Sequence, residues 1–384
     1  MYLLGYDIGS SSVKAALVNA ISGQLEASAH YPDTEMPIQA PLPGWAEQHP
    51  DDWWEAVAQV TRRLLRQSGV PAQQIQAIGI AYQMHGLVLI DRQGQVLRPA
   101  IIWCDSRAVG IGARAFDALG EEYCLGHCFN SPGNFTASKL RWVLEHEPAV
   151  FDQVHHFMLP GDYIAYRMTG EVGTTLTGLS EGVMWDFRSH TPAYALLAHY
   201  GIPEAMLPPL LPIFGEQGRL TQAAAECLGL CGGIPVTYRA GDQPNNAFSM
   251  HALRPGEVAA TGGTSGVVYA VSERPVLDPR QRVNGFAHVN YTPAEPYMGV
   301  LLCINGTGIQ YGWLRRVLSG GGHVLPDYAD LERIAASVPV GSEGLSVLPF
   351  GNGAERMLGN RDVGSHLMGL QFNRHEARHL YRAA

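Results

Sequence analysis

Lysine is almost missing from this chain. Lys14 and Lys139 are the only two, neither stands in a GxxxxGK[ST] context, and a P-loop is thereby excluded. No GxGxxG follows a strand-like apolar run either, which removes the main signal of dinucleotide binding. Long hydrophobic runs are absent too: nothing approaches the ~18 apolar residues of a membrane-spanning helix. The opening MYLLGYDIGSSSV has neither a basic leader nor a long apolar core, so the chain reads as cytoplasmic with no membrane partner. Positive charge is scarce, with 26 Lys and Arg against 35 Asp and Glu, a net charge of −9 and a pI near 5.9. That balance argues against nucleic acid as a partner and requires any phosphate site to be local. Cysteine is sparse as well. Cys104, Cys124, Cys128, Cys227, Cys231 and Cys303 lack the pairing of a disulfide scaffold, and the Cys124/Cys128 and Cys227/Cys231 spacings are not those of a zinc site. They are expected to be reduced and partly buried.

What is present is ordinary globular composition over 384 residues, 46% hydrophobic and 16% charged, enough for two domains with substantial cores. The chain is organised around Val236 to Val271, where Asp242 sits in a Gly-flanked turn and a later apolar strand breaks at Gly262, Gly263, Thr264, Ser265 and Gly266. The second half of this stretch has a counterpart at the N-terminus. LLGYDIGSSSVKAAL overlays EVAATGGTSGVVYAV with Gly9 on Gly263, Ser10 on Thr264, Ser11 on Ser265 and Val13 on Val267. Each reads as strand, tight hydroxyl-rich turn, strand. Two unrelated hairpins would read the same way. A duplicated phosphate-binding hairpin, one per lobe across a cleft, is the sharper interpretation, because small residues let backbone N–H groups close on an anion.

Along the chain, Tyr2 to Asn19 is expected to form the first hairpin and Gln24 to His30 a third strand. A Pro-rich loop then leads to a helix that Asp51 or Asp52 can cap, its apolar face directed to the sheet. The buried strand Gln76 to Ala81 ends in Gln83, Met84, His85 and Gly86, and a second apolar run ends in Trp103, Asp105 and Arg107. Polar residues where adjacent strands end suggest a pocket. Taken alone, His85 reads more readily as a satisfied core histidine. Gly110 to Gly233 is mainly helical, and further helices are expected around Trp313 and from Asp327 to Ser337. The final FNRHEARHLYRAA reads as a helix still in progress, so the chain is expected to be part of a longer protein.

Two hairpins and acids at strand ends fit phosphoryl transfer in which the protein supplies positioning, Mg2+ and a base. Asp242 would then take the proton of a substrate hydroxyl, Asp7 would bind Mg2+ directly or through water, and the turn at Thr264 would hold the terminal phosphates. Either acid alone could equally be a turn aspartate.

The segments YDIGSSSVK, PGWAEQHPDDWW, IGIAYQMHG, PAIIWCDSR, ASKLRWVLEHEP, LPGDYIAYRMTGE, AGDQPNNAF and TGGTSGVVYAV, in this order over nearly the whole chain, resemble the FGGY family of carbohydrate kinases, and within it the xylulose kinases. The resemblance implies an α/β, two-lobed ribonuclease-H-like fold of the actin-like ATPase and sugar kinase type with a central cleft. It divides the chain into an N-terminal FGGY domain, 1–238, and an incomplete C-terminal FGGY domain, 239–384. It implies ATP and Mg2+ as cofactors and a sugar as substrate, with D-xylulose ahead of glycerol, ribulose or sedoheptulose, and it leaves a homodimer open. Residue by residue, Asp242 matches the catalytic base and Asp7 the acid near metal and phosphates. Gln83, Met84, His85, Trp103, Asp105 and Asp242 fall in the sugar pocket. Gly9, Ser10, Ser11, Ser12 and Lys14, with Gly263, Thr264 and Ser265, fall in the two phosphate loops. The family's late Gly-rich adenosine motif is expected after the present C-terminus. An actin-like ATPase and a sugar-binding protein without catalysis are the competing classes.

Overall fold

A computed structural model describes residues 1–263, 265–319, 325–353, 355–359 and 361–384. Two compact units are formed. The first holds Met1–Leu253 with Glu273–Pro275 and Phe286–Met298; the second holds Arg254–Ser272, Val276–Gly285 and Gly299–Ala384.

In the first unit, β1 (Tyr2–Ile8), β2 (Val13–Asn19) and β3 (Leu25–Tyr31) follow one another as antiparallel neighbours, and β4 (Ile75–Tyr82) and β5 (Val236–Gly241) add in parallel on the other side of β1. The spatial order is β5-β4-β1-β2-β3. Alternation decides which side is buried, since successive side chains in a strand point to opposite faces. Leu4, Tyr6 and Ile8 of β1 and Val13, Ala15 and Leu17 of β2 are all buried in one cluster. Helix α1 (Pro50–Ser68) contributes Trp53, Val57, Val60 and Leu64 to the same cluster at helical spacing, and α1 packs on β2 and β3 as its amphipathic pattern requires.

The start of α1 differs from the expected Asp51 or Asp52 cap. His49 is the N-cap, its ring accepting from the Asp51 N–H, and Pro50 takes the first helical position, where a missing N–H costs nothing. Asp51 instead accepts a hydrogen bond from the Tyr163 hydroxyl at 2.7 Å and pairs with Arg167. Between β4 and β5 the first unit is mainly helical, including α2 (Thr136–His146), α3 (Pro160–Thr169) and α4 (Leu176–Glu181), and β5 leads directly into α5 (Asp242–Ser249).

The second unit contains the antiparallel pair β6 (Val258–Gly262) and β7 (Gly266–Ser272), with β8 (Met298–Ile304) beside β7. Helices α6 (Thr307–Leu318), α7 (Tyr328–Ala336) and α8 (Ala377–Ala383) bring Leu314, Leu331, Ala335 and Tyr381 into a small core. Asp327 caps α7 by accepting from the Ala329 N–H. The terminal helix is shorter than its sequence suggests, beginning only at Ala377. The Gly320 to Gly322 loop lies outside the described residues. Among the described residues, no helix is long and apolar enough to cross a membrane.

Candidate active site

Register places the site. Ile8 of β1 pairs with Tyr82 of β4, and Tyr82 pairs with Gly241 of β5, so three parallel strands stop at one level. The next residues are Gly9, Gln83 and Asp242. In parallel sheets the region beyond the carboxyl ends of strands is where ligands bind, and here it collects a hydroxyl-rich turn, the QMHG segment and an acid.

Asp242 is the first residue of α5, with Gly241 as N-cap. A helix N-terminus favours a carboxylate, but burial opposes it and wins. The side chain keeps some surface open to solvent while its carboxyl lies deep among protein atoms. Burial first, and the Asp7 charge second, push its pKa up to about 7; hydrogen bonds from Gln243, whose Nε2 lies 3.2 Å from Oδ2, pull the other way. Asp7 stands directly across the hairpin from Lys14, whose Nζ donates to Oδ2 at 3.1 Å. With Lys14 and Asp7 side chains 64% and 37% exposed, this pair contributes little to stability and leaves the carboxylate accessible.

The Gly9–Ser12 turn is held from several directions. The Gly9 N–H donates to Ser12 O at 3.2 Å, Gln48 Nε2 donates to Ser10 O at 2.7 Å, and Met36 N donates to Ser11 O at 2.7 Å. A Cβ on Gly9 would lie 2.9 Å from Ser12 O, so glycine is required by space. In the second unit the counterpart turn is closed by Gly263 N donating to Ser265 O at 2.9 Å. The two hairpins differ in register: Ile8 pairs with Val13, whereas Gly262 pairs with Gly266, so the second turn is one residue tighter. Thr264 lies outside the described residues.

The QMHG residues are not equivalent. Met84 is buried against Gly241, where an added Cβ would stand 2.6 Å from Met84 Cγ and 2.4 Å from Glu181 Oε2. Gln83 is 3% exposed, yet among the described residues neither its Nε2 nor its Oε1 has a hydrogen-bond partner. His85 adopts φ 63°, a left-handed conformation that costs a non-glycine residue about 1 kcal/mol. It lies edge-on to Phe135, with centroids 4.8 Å apart, and its backbone and ring are hydrogen-bonded to Glu181.

Trp103 and Asp105 separate. Trp103 is 49% exposed and its Nε1 donates to Ser10 Oγ at 3.2 Å, next to the first turn. Asp105 is fully buried: it accepts from Ala46 N at 2.6 Å and from the Arg107 backbone and guanidinium, while Arg107 also reaches Glu47 at 2.7 Å and stacks 3.7 Å from Trp45. Its oxygens are thus committed to shaping the loop after Trp103. The physical reason is Arg107: two residues away, it forms a bidentate pair that a buried carboxylate needs.

Two residues that sequence reasoning missed stand beside this group. Glu181 ends α4; its Oε1 accepts from His85 N, and its Oε2 has no hydrogen-bond partner among the described residues. Burial, and then the Asp242 and Asp162 charges, hold its carboxyl well above the usual carboxylate range, against the hydrogen bond from the His85 N–H. Lys139 of α2 is fully buried, and burial brings its amine down to about 7, with the Asp105 charge acting in the opposite sense. Both had a signal. Lys139 is one of only two lysines and falls on the inner side of a helix, and Glu181 is an acid inside the apolar run LSEGVMW.

A sheet of three antiparallel strands extended by two parallel ones, with acids at the strand ends, defines a ribonuclease-H-like protein of the actin-like ATPase and sugar kinase class. The profile of the FGGY family of carbohydrate kinases, N-terminal domain, matches residues 2–249, and the chain belongs to that family. It is 29% identical to the xylulose kinase of Bacillus subtilis (strain 168) over all of this chain and 74% of that protein. To the xylulose kinase of Escherichia coli (strain K12) it is 33% identical over 75% of this chain, a match spanning 58% of that enzyme's length. Among solved structures, xylulose kinase from Rhodospirillum rubrum superposes with a TM-score of 0.83 at 30% identity, covering 100% of this chain and 75% of that one. Plasmodium falciparum glycerol kinase with ADP, at 18% identity and a TM-score of 0.83 over 100% of this chain and 75% of that one, shares the fold alone.

Proposed function

We propose that this protein transfers the γ-phosphoryl group of ATP to a ketose, with D-xylulose the first candidate and D-xylulose 5-phosphate the product. The observation that carries the reading is Asp242: a carboxyl at the end of β5, level with the ends of β1 and β4, with a pKa raised to about 7. A base poised near the working pH can take a hydroxyl proton without remaining protonated most of the time. Asp242 would remove the proton of the sugar's terminal hydroxyl as that oxygen attacks the γ-phosphorus, and ADP would leave.

Asp7 supplies the hard oxygen ligand that suits Mg2+, an ion that keeps most of its waters and needs few protein donors. Its solvent-accessible carboxylate fits such an ion. Bound there, Mg2+ would neutralise phosphate charge. Gly9, Ser10, Ser11 and Ser12, and in the second unit Gly263, Thr264 and Ser265, would supply donors to phosphate oxygens. Gln83, Met84, His85 and Trp103 would face the sugar, while Asp105 fixes their neighbouring loop through Arg107. The names of the relatives favour xylulose; gluconate and glycerol kinases among the solved neighbours define the panel that has to be run against it.

The test is ADP release across D-xylulose, D-ribulose, sedoheptulose, glycerol and gluconate, with and without Mg2+. Sugar- and Mg2+-dependent turnover, highest with D-xylulose, is expected. Asp242→Asn should lower turnover by about 10²–10⁴ with sugar affinity retained. Turnover that survives this substitution overturns the base assignment, and no turnover with any ketose overturns the substrate class.

A further inference from the structure

His85 is held from two sides by the ionisable side chains of Glu181 and Lys139. On one side, Glu181 Oε1 accepts from the His85 backbone N–H at 3.3 Å, and the Glu181 carbonyl oxygen meets His85 Nδ1 at 2.9 Å. Since a carbonyl only accepts, Nδ1 carries the proton, which fixes the ring's orientation and tautomer. On the other side, Lys139 Nζ donates to the His85 carbonyl oxygen at 2.8 Å and to Ile102 O at 2.9 Å. The same ammonium therefore ties the segment after β4 to the segment before Trp103. Gly86 is held next in line: its carbonyl accepts from Thr136 Oγ1 at 3.3 Å, and a Cβ there would lie 2.6 Å from Pro160.

A left-handed, non-glycine residue persists only where its surroundings over-determine it. Here they do, through two fully buried ionisable groups whose burial is costly and which an apolar pair could have replaced. We propose that Glu181 and Lys139 are positioning residues for the sugar, their side chains holding the His85 backbone from both sides and so placing its imidazole in the geometry that recognises a polyhydroxylated substrate. This inference rests on the proposed sugar kinase function. In it, Glu181 works as a hydrogen-bond acceptor that a glutamine carbonyl would replace, and Lys139 works as a donor to two carbonyls.

The experiment is a double-substitution cycle. Sugar dissociation constants and steady-state kinetics with D-xylulose are measured for wild type, Glu181→Gln, Glu181→Ala, Lys139→Met, His85→Ala and the Glu181→Ala/His85→Ala pair, with circular dichroism to establish folding. Glu181→Gln keeps the acceptor and should stay within about threefold of wild type, whereas Glu181→Ala should weaken sugar binding about tenfold, the loss of one hydrogen bond to a positioned group. The loss should appear in KM more than in kcat, and it should vanish when His85 is already Ala. Equal loss in the presence and absence of His85, or a Glu181→Ala variant that binds like wild type, overturns the proposal. If Lys139→Met does not fold, the Glu181 and His85 cycle decides alone. Wild-type protein that binds none of the sugars overturns the functional reading and this inference with it, a result distinct from additivity.

Discussion

Replacing Asp242 by Asn should stabilise the protein, and by an amount that grows with pH. The folded-state pKa near 7, against an ordinary value of 3.8, means that the fold binds this proton more tightly than the unfolded chain does. Below pH ~4 both states are protonated and this group contributes no difference. Between pH ~4 and ~7 the unfolded chain releases the proton while the folded protein keeps it, so wild type loses stability relative to the Asn variant as pH rises. Above pH ~7 the loss is complete. At about 1.4 kcal/mol per pKa unit the ceiling is about 4 kcal/mol. The side chain's partial exposure brings the expected difference to about 2–3 kcal/mol. Urea denaturation of wild type and Asp242→Asn at pH 4.5, 6 and 8 measures it. A variant equally stable at every pH, or a gap that narrows toward pH 8, would refute both the burial of this carboxyl and the argument that it is a strained base.

Asp7→Asn removes the second cause of that raised pKa, so the Asp242 titration, followed by carbon NMR of the carboxyl, should move to lower pH; an unchanged midpoint would show that the two acids do not sense each other. Gly241→Ala forces a methyl to within 2.4 Å of Glu181 Oε2 and should cost about 1–3 kcal/mol, read as a lower thermal midpoint. Asp105→Ala leaves Arg107 buried with one carboxylate partner fewer and should cost about 3–5 kcal/mol. A loss below 1 kcal/mol in chemical denaturation would contradict the structural role given to Asp105.

Much of this arrangement was legible in the chain. The two hairpins, the strand ahead of QMHG and the order of motifs follow from alternation, turn residues and resemblance, because strands and tight turns are encoded within a few residues. Other features were set by partners distant in sequence. Nothing near Asp105 indicates that Ala46 N and Glu47, from the Pro-rich loop, complete its surroundings. The capping of α1 by His49 rather than by an aspartate was decided by Pro50 and by the demand of Tyr163 and Arg167 for Asp51. Lys139 and Glu181 escaped notice because their meaning is positional: a lysine on a helix and an acid in an apolar run acquire a role only when packing brings both to His85.

The common level at which β1, β4 and β5 end also bears on how the site comes into being. The N-terminal hairpin with Asp7 is made of local pairings and can form early during synthesis. Asp242 arrives on β5, a parallel strand separated from β4 by the whole helical segment, and its pairing carries the loop-closure entropy of a highly non-local contact. The segment just before β5 bends back to shield its outer edge, where Phe214 bridges to Tyr238 and Arg219 to Pro235. The two carboxyls therefore come together only when β5 has paired with β4 and the sheet is complete.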